Sequence, residues 1–285
     1  MSGSQCFENP PKLSPGSGCG AGTVQQLGGL NTYVTGSGPP DSKSAILLIS
    51  DVFGYEAPLF RYVIEVASVY ISIRDVSPRS VVSGSLDYKC AHFLLYVCRK
   101  LADKVAGAGF LVVAPDFFYG DPIVDLNNPQ FDREAWRKIH NTDKGYVDAK
   151  SVIAALKSKG VSAIGAAGFC WGGVVAAKLA SSHDIQAAVV LHPGAITVDD
   201  INEIKVPVAI LGAEIDHVSP PEDLKRFGEI LSAKLKNDCL VKIYPRVSHG
   251  WTVRYNVEDE FAVKSAEEAH EDMINWLTKY VKRDE

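Results

Sequence analysis

Residues 168–173, with the sequence GFCWGG, carry the strongest chemical signal in the chain. They place a cysteine among glycines, between an apolar run and a run of small residues. A nucleophile at such a strand-to-helix turn forms a sharp elbow that lifts the reactive atom above the sheet. The helix that follows favours the thiolate, and its first N–H groups, notably that of Trp171, face a developing oxyanion. The pattern predicts Cys170 as a nucleophile for acyl transfer, with a buried structural cysteine as the alternative.

An elbow nucleophile needs a histidine base and an acid that orients it, in the chain order nucleophile, acid, histidine. The run VPVAILGAEID ends at Asp216, and the run CLVKIYPRVSHG leads to His249. Both residues follow predicted strands, where sites of open parallel sheets form. We therefore expect His249 to accept the Cys170 proton, and Asp216 to hold the His249 tautomer and stabilise its imidazolium.

Three neighbouring residues compete for these roles. His192 also follows an apolar strand but precedes Asp216, so its chain order is wrong for the base. Glu214 and His217 flank Asp216, and Glu214 is the second choice for the acid.

The elements that must position these residues alternate along the chain. Apolar, strand-like runs occupy residues 44–50, 109–115, 163–169, 187–191, 206–211 and 240–244. Helical patterns occupy residues 142–160, 174–181 and 262–281. Continuous apolar strands separated by helices predict an α/β protein, a doubly wound and mainly parallel sheet with helices on both faces.

Composition narrows the classes of partner and cofactor. The chain has 285 residues, with 29 Lys and Arg against 34 Asp and Glu, and no basic block. Nucleic acid and anionic membranes are therefore not expected as partners. No apolar run approaches the ~20 residues that span a bilayer, and the first residues do not read as a secretory signal. Residues 1–22 are rich in Gly, Pro and Ser and are predicted to be a flexible lead-in.

The spacing of the cysteines and histidines does not indicate metal sites or a disulfide framework. The six cysteines form no CxxC pair, which in a chain of this length indicates free thiols and a cytoplasmic protein. The seven histidines show no zinc-binding spacing. We predict neither a metal nor a cofactor.

The elbow, Asp216 and His249 together resemble the dienelactone hydrolase family, also called carboxymethylenebutenolidases, and its plant-type members in particular. The resemblance covers residues 25–61 and 100–285 and includes ISDVFGYEAPLFR, VAPDFFYGDP, GFCWGG, GAEIDHVSPP and SHGWTVR. It implies an α/β-hydrolase fold in one domain over residues 23–285. It also implies a catalytic triad of Cys170, Asp216 and His249.

The resemblance assigns further roles to the loops. A carboxylate that touches the resting thiol falls on Asp51, where bacterial members have Glu. The N–H of Val52 would be the second oxyanion donor beside that of Trp171. Arg254 matches an arginine that binds a substrate carboxylate, and either Arg133 or Arg137 could supply a second one.

The implied reaction is hydrolysis of a small ester or lactone that could carry a carboxylate. The Cys170 thiolate would attack the carbonyl, and water activated by His249 would cleave the thioester. The chain would act as a monomer or homodimer. Two alternatives stay open: a glycoside hydrolase, as some plant relatives are labelled, using Asp51, Glu56 or Asp216, and a redox sensor that uses the Cys170 thiol.

Residues 62–99 do not fit the family pattern. These 38 residues interrupt what would otherwise be one amphipathic helix, and they lack a helical or alternating period. We interpret them as a non-family insertion, with a retained intron as the first hypothesis and a lid or dimerisation arm as the alternative. Without the insertion the chain has the size of one α/β-hydrolase domain.

Overall fold

The structure is a computed structural model, and it describes residues 22–39, 42–55, 101–124, 129–236 and 238–282. Within these residues, eight strands form one sheet in the order β1-β2-β4-β3-β5-β6-β7-β8. The strands are, in chain order, β1 Thr23–Leu27, β2 Leu30–Thr35, β3 Ser44–Ile49, β4 Leu111–Pro115, β5 Ala163–Phe169, β6 Ala187–Leu191, β7 Val208–Ile215 and β8 Cys239–Ser248.

The described helices lie between and after the strands. They are, in chain order, α1 Leu101–Ala106, α2 Arg133–Ile139, α3 Thr142–Ser158, α4 Trp171–Leu179, α5 Val198–Glu203, α6 Pro221–Leu235 and α7 Glu260–Val281. None of these helices is long and apolar enough to cross a bilayer. The described residues also hold no group of three or more His, Cys, Asp or Glu side chains arranged to bind a metal ion.

The sheet is mainly parallel. Strands β3 to β8 pair in parallel, while β1 and β2 form a hairpin that joins β4 antiparallel at one edge. All seven residues of β5 and all five of β6 are buried, so both faces of the sheet centre are covered. On one face Gly165 makes room for Leu277 and Val281 of α7, where a Cβ would meet both side chains. The predicted α/β class with a doubly wound sheet is confirmed.

The topology brings four side chains to one edge. Strands β5, β6, β7 and β8 are consecutive neighbours and run in the same direction. The residues that follow their carboxyl ends are Cys170, His192, Asp216 and His249. Residues far apart in sequence therefore meet at one sheet edge, as expected for open parallel sheets.

The element bounds differ from the sequence expectation in informative places. Helix α4 begins at Trp171 rather than at residue 174, because the elbow glycines already form its first turn. Strand β8 continues to Ser248, directly before His249. The local patterns do not predict the β1–β2 hairpin or the helices α2, α5 and α6. The expected lead-in lies outside the described residues except for residue 22, and so do the 62–99 insertion and Glu56.

Candidate active site

The elbow holds Cys170 in a strained conformation. Its φ of 51° and ψ of −109° lie where L-residues are rare, directly between β5 and α4. Its main chain is fixed on both sides: its N–H donates to Leu191 O at 3.1 Å, and its carbonyl accepts from Gly194 N at 2.8 Å. The side chain is buried. These bonds hold the backbone of the strained turn in place.

Glycines are required around the elbow by close backbone packing. A Cβ on Gly168 would clash with the carbonyl of Gly172. A Cβ on Gly172 would clash with the carbonyl of Ile49 and lie 2.6 Å from that of Ser50. The first turn of α4 therefore packs directly on the end of β3.

This packing brings together the chain segments that carry the two expected oxyanion donors. Val52 is buried in the turn after β3, which Asp51 closes by accepting the N–H of Phe53 at 3.1 Å. The Val52 carbonyl accepts from Ile123 N at 3.0 Å, which anchors the turn from the other side. Across from it, the N–H of Trp171 belongs to the first turn of a helix, where N–H groups have no partner within the helix.

The Trp171 side chain locks the start of α4. Its Nε1–H donates to the carbonyl of His140 at 2.9 Å, and its ring meets Phe118 edge-on at 4.9 Å between centroids. Gly145 of α3 lies so close that a Cβ there would clash with the indole ring. Helix α4, which carries the expected oxyanion donor, is thereby held against α3.

His249 and Asp216 form a buried pair. His249 Nδ1 lies 2.8 Å from Asp216 Oδ2, and neither side chain is exposed. The other carboxylate oxygen, Asp216 Oδ1, accepts the N–H groups of Val218 at 2.8 Å and Ser219 at 3.1 Å. Two backbone donors and one imidazole therefore fix the carboxylate in a single orientation.

The electrostatics of His249 favour its charged form. Burial lowers the pKa of His249, but the charge of Cys170, the hydrogen bond that His249 donates to Asp216 and a hydrogen bond with Cys170 outweigh it and raise the pKa to about 9. Cys170 and Asp216 therefore both favour the charged form of His249. The three predicted triad residues are brought together.

The competing residues have other contacts. Glu214 is exposed and accepts the main-chain N–H of Arg246 at 2.6 Å. His217 is exposed as well. His192 is buried, and its ring lies edge-on to the His249 ring with 5.2 Å between centroids.

Asp51 and Arg254 are paired with each other. Arg254 Nη1 donates to Asp51 Oδ2 at 3.1 Å, with both side chains buried. Burial raises the pKa of the Asp51 carboxyl, and the charge of Arg254 opposes that shift. Arg254 folds back over Gly250, where φ is 91° and a Cβ would clash with the guanidinium. The two residues that the resemblance assigned separately, one to the thiol and one to substrate, form one ion pair.

The two further arginine candidates lie on α2, and both are half-buried. Arg137 lines a cleft of about 400 Å³ together with Trp171, Val174 and Lys178. Of the two candidates, Arg137 therefore stands beside a residue of the elbow.

The local sequence patterns do not indicate a role for Thr252 or His270. His270 Nε2–H donates to the carbonyl of Thr252 at 2.9 Å, and Thr252 Oγ1 lies 2.7 Å from His192 Nε2. The only signal in the sequence was the position of Thr252, three residues after His249.

Comparisons with known proteins relate the chain to one family of hydrolases. The sequence model of the dienelactone hydrolase family matches residues 95–281. The chain is 36% identical over 232 residues to a Zea mays protein named endo-1,3;1,4-beta-D-glucanase, an alignment that covers 80% of this chain and 62% of that protein. It is 29% identical over 269 residues to the Mus musculus carboxymethylenebutenolidase homolog, covering 92% of each.

The fold has counterparts among solved structures. A Xanthomonas campestris protein described as an α/β serine hydrolase without a lid superposes with a TM-score of 0.52 at 15% identity, covering 93% of this chain and 97% of that one. The expected α/β-hydrolase fold is thereby confirmed.

Proposed function

The chain belongs to the dienelactone hydrolase family and is a hydrolase of carboxylic esters or lactones, and we propose that it works through Cys170, Asp216 and His249. The observation that carries the proposal is the buried His249–Asp216 pair at 2.8 Å, in a site where the charge of Cys170 helps to raise the pKa of His249 to about 9. This arrangement supports a resting thiolate beside an imidazolium.

The first half of the reaction forms a thioester. The Cys170 thiolate attacks the carbonyl carbon of the ester or lactone, and the oxyanion lies between the N–H groups of Trp171 and Val52. The tetrahedral intermediate collapses with cleavage of the C–O bond, and the His249 imidazolium gives its proton to the leaving oxygen.

The second half regenerates the enzyme. Neutral His249, held by Asp216, takes a proton from water, whose oxygen attacks the thioester. The C–S bond breaks, and the carboxylic acid product leaves Cys170 as the thiolate beside the imidazolium. No step requires a metal or a cofactor.

The substrate class follows from the leaving group and the charges. A thiolate is expelled readily from the tetrahedral intermediate, so enol esters and lactones with good leaving groups react better than amides. Arg254 is the proposed contact for a substrate carboxylate. Since Asp51 already binds Arg254 Nη1, that carboxylate would share the guanidinium with Asp51.

The name of the maize relative favours glycoside hydrolysis as a second candidate. Glycosidases need two carboxyl groups on either side of the scissile bond. Three carboxylates are the candidates for such a pair. Asp216 is bound by His249 and Asp51 by Arg254, whereas Glu56 lies outside the described residues. The chain also spans only 62% of the maize protein. The geometry therefore supports the esterase more strongly.

A redox sensor would use the same thiol without turnover. Within the described part of the chain, neither Cys170 nor Cys239 forms a disulfide. Either use of Cys170 needs it reduced, so we propose a reducing compartment such as the cytoplasm.

The test compares the full chain with Cys170→Ala and Cys170→Ser on 4-nitrophenyl acetate, an enol lactone and a mixed-linkage β-glucan. We expect ester and lactone hydrolysis to fall by about 10³-fold or more in Cys170→Ala, because the covalent route is lost.

Each alternative has its own outcome. Glucan cleavage that survives in Cys170→Ala would support the glycosidase. Alkylation of Cys170 without turnover of any ester by the wild type would support the sensor.

A further inference from the structure

His192 is a buried histidine beside the catalytic residues that the proposed mechanism does not use. It follows β6, the strand between those that lead to Cys170 and Asp216. Its φ of 33° is positive, which is uncommon for a residue other than glycine. The side chain is 0% exposed. The fold thus holds a fully buried imidazole at this point in an uncommon backbone conformation.

The His192 ring packs against the ring of His249, the proposed base. It meets the His249 ring edge-on, with centroids 5.2 Å apart and planes at 66°. It meets the Trp251 ring in the same way at 5.3 Å, and Phe169 lies behind it at 6.1 Å. His249 therefore packs edge-on against a buried ring that is itself in contact with Trp251 and Phe169.

The polar edge of the same ring ties down the loop that carries the base. His192 Nε2 lies 2.7 Å from Thr252 Oγ1, a buried hydroxyl three residues beyond His249. The Thr252 carbonyl accepts from His270 Nε2 of α7 at 2.9 Å. Thr252 is thus held from β6 by its side chain and from α7 by its main chain.

The same loop is held at both of its ends. Asp216 holds His249 at 2.8 Å, and Asp51 holds Arg254 at 3.1 Å. The His192–Thr252 bond holds the middle of the loop, together with the bond from His270 to the Thr252 carbonyl. It links the end of β6 to the loop that follows β8, across the intervening strand β7.

His192 is not arranged to act as a second base. Its Nε2 is engaged by Thr252. Burial, followed by the charges of His249 and Arg254, holds the pKa of His192 well below its usual value. A neutral ring can touch the His249 imidazolium without adding a second positive charge.

We propose that the His192–Thr252 hydrogen bond positions the catalytic base, holding the His249 loop so that the imidazole stays between Cys170 and Asp216. This deepens the proposed function and rests on it. His192 and Thr252 are positioning residues, since they act through His249.

The test uses Thr252→Val, Thr252→Ser, His192→Phe and the double variant Thr252→Val/His192→Phe of the full chain. Valine keeps the shape of threonine without the hydroxyl, and serine keeps the hydroxyl. Two quantities are measured: kcat and KM on 4-nitrophenyl acetate, and the pH midpoint of Cys170 alkylation by iodoacetamide, followed by mass spectrometry of its peptide. The charged and titratable groups around His249 are left in place by the Thr252 changes: Cys170, Asp216, His192, Asp51 and Arg254.

We expect Thr252→Val to lower kcat by about 10- to 100-fold with KM within about twofold, as misplacing a catalytic group does. The alkylation midpoint should rise, because a displaced imidazolium stabilises the thiolate less. Thr252→Ser should restore both values. The double variant should lose no more than the worse single variant, because both changes break the same bond.

Several results would overturn the proposal. One is a folded Thr252→Val protein with the kcat and the alkylation midpoint of the wild type. Another is a double variant whose loss of kcat equals the sum of the two single losses in free energy. A third is a Thr252→Ser protein that is as inactive as Thr252→Val. If Thr252→Val does not fold, His192→Phe alone decides by the same two measurements. Cys170→Ala is assayed in parallel: if it keeps wild-type activity, the proposed function fails, whereas an inactive Cys170→Ala beside a fully active Thr252→Val refutes only the positioning role.

Discussion

The elbow at residues 168–173 and the base loop at residues 249–254 reach the same site by different physical means. The elbow is fixed by its own backbone: a strained φ at Cys170 and glycines whose missing Cβ atoms let main chain pack on main chain. The base loop is fixed by side chains from four other places in the sequence, namely Asp51, His192, Asp216 and His270.

The difference shows that the proposed nucleophile and the proposed base are held in place in different ways. Sterics at a tight turn hold the backbone of the proposed nucleophile, Cys170, in one conformation. A loop held by hydrogen bonds and one ion pair can be loosened one contact at a time. Changes in the elbow should therefore affect folding and activity together, whereas changes around the base loop should separate the two.

The largest expected effect on activity is that of Asp216→Asn. Because Asp216 Oδ1 accepts two main-chain N–H groups, the asparagine oxygen takes that side and its NH₂ faces His249 Nδ1. The imidazole then carries its proton on Nε2 and cannot accept another from water. We expect kcat to fall by about 10³-fold or more, which is about 4 kcal/mol, with little loss of stability.

Glu214→Gln is the matched control for that variant. It neutralises an exposed carboxylate two residues away, and kcat on the same ester should stay within about threefold. A drop in Glu214→Gln that matches the drop in Asp216→Asn would contradict the assignment of the acid.

Gly172→Ala tests the elbow side of the comparison. The new Cβ would meet two backbone carbonyls, those of Ile49 and Ser50, which cannot rotate away. We expect the free energy of unfolding to fall by about 3 kcal/mol, the upper end for overpacking, together with loss of activity.

The control for this elbow variant is Gly38→Ala. There the nearest atom is the flexible end of Leu111 at 3.3 Å, so the change should cost no more than about 0.5 kcal/mol. Urea unfolding of both variants gives the comparison. A Gly172→Ala protein as stable as Gly38→Ala would show that the first turn of α4 is not packed on β3 as described.

The smallest expected effect concerns the pH dependence of stability. Burial lowers the pKa of His270 to about 3, so the unfolded chain binds a proton there that the folded protein does not bind. Stability from this group is present above the unfolded pKa of about 6.5 and is lost as pH falls toward 3, by at most about 1.4 kcal/mol per pH unit.

His270→Gln should make that slope shallower. Glutamine can still donate to the Thr252 carbonyl but does not titrate. His183→Gln, which removes an exposed imidazole, is the matched control. Urea unfolding between pH 4.5 and 6.5 checks both, and an unchanged slope in His270→Gln would mean that His270 is not buried and neutral in the folded protein.

The same contrast explains what could be predicted from the sequence. The central strands, the elbow and the chain order of Cys170, Asp216 and His249 can be predicted from local patterns. An apolar strand or a glycine turn is determined by a few consecutive residues, so it is visible in the sequence. The pairing of Asp51 with Arg254 joins residues 203 positions apart, and no local pattern records it. His192 was considered as a base, but its bond to Thr252 depends on which strands are neighbours in the sheet.

The most direct test of the central claim is the mass of the covalent intermediate. The full chain is mixed with an excess of 4-nitrophenyl acetate, quenched in acid within the first turnovers and digested. We predict one added acetyl group on the peptide that contains Cys170, released by hydroxylamine at neutral pH as a thioester is, and absent in Cys170→Ala. An acetyl group on another residue that turns over at the steady-state rate, or undiminished hydrolysis in Cys170→Ala, would contradict the account.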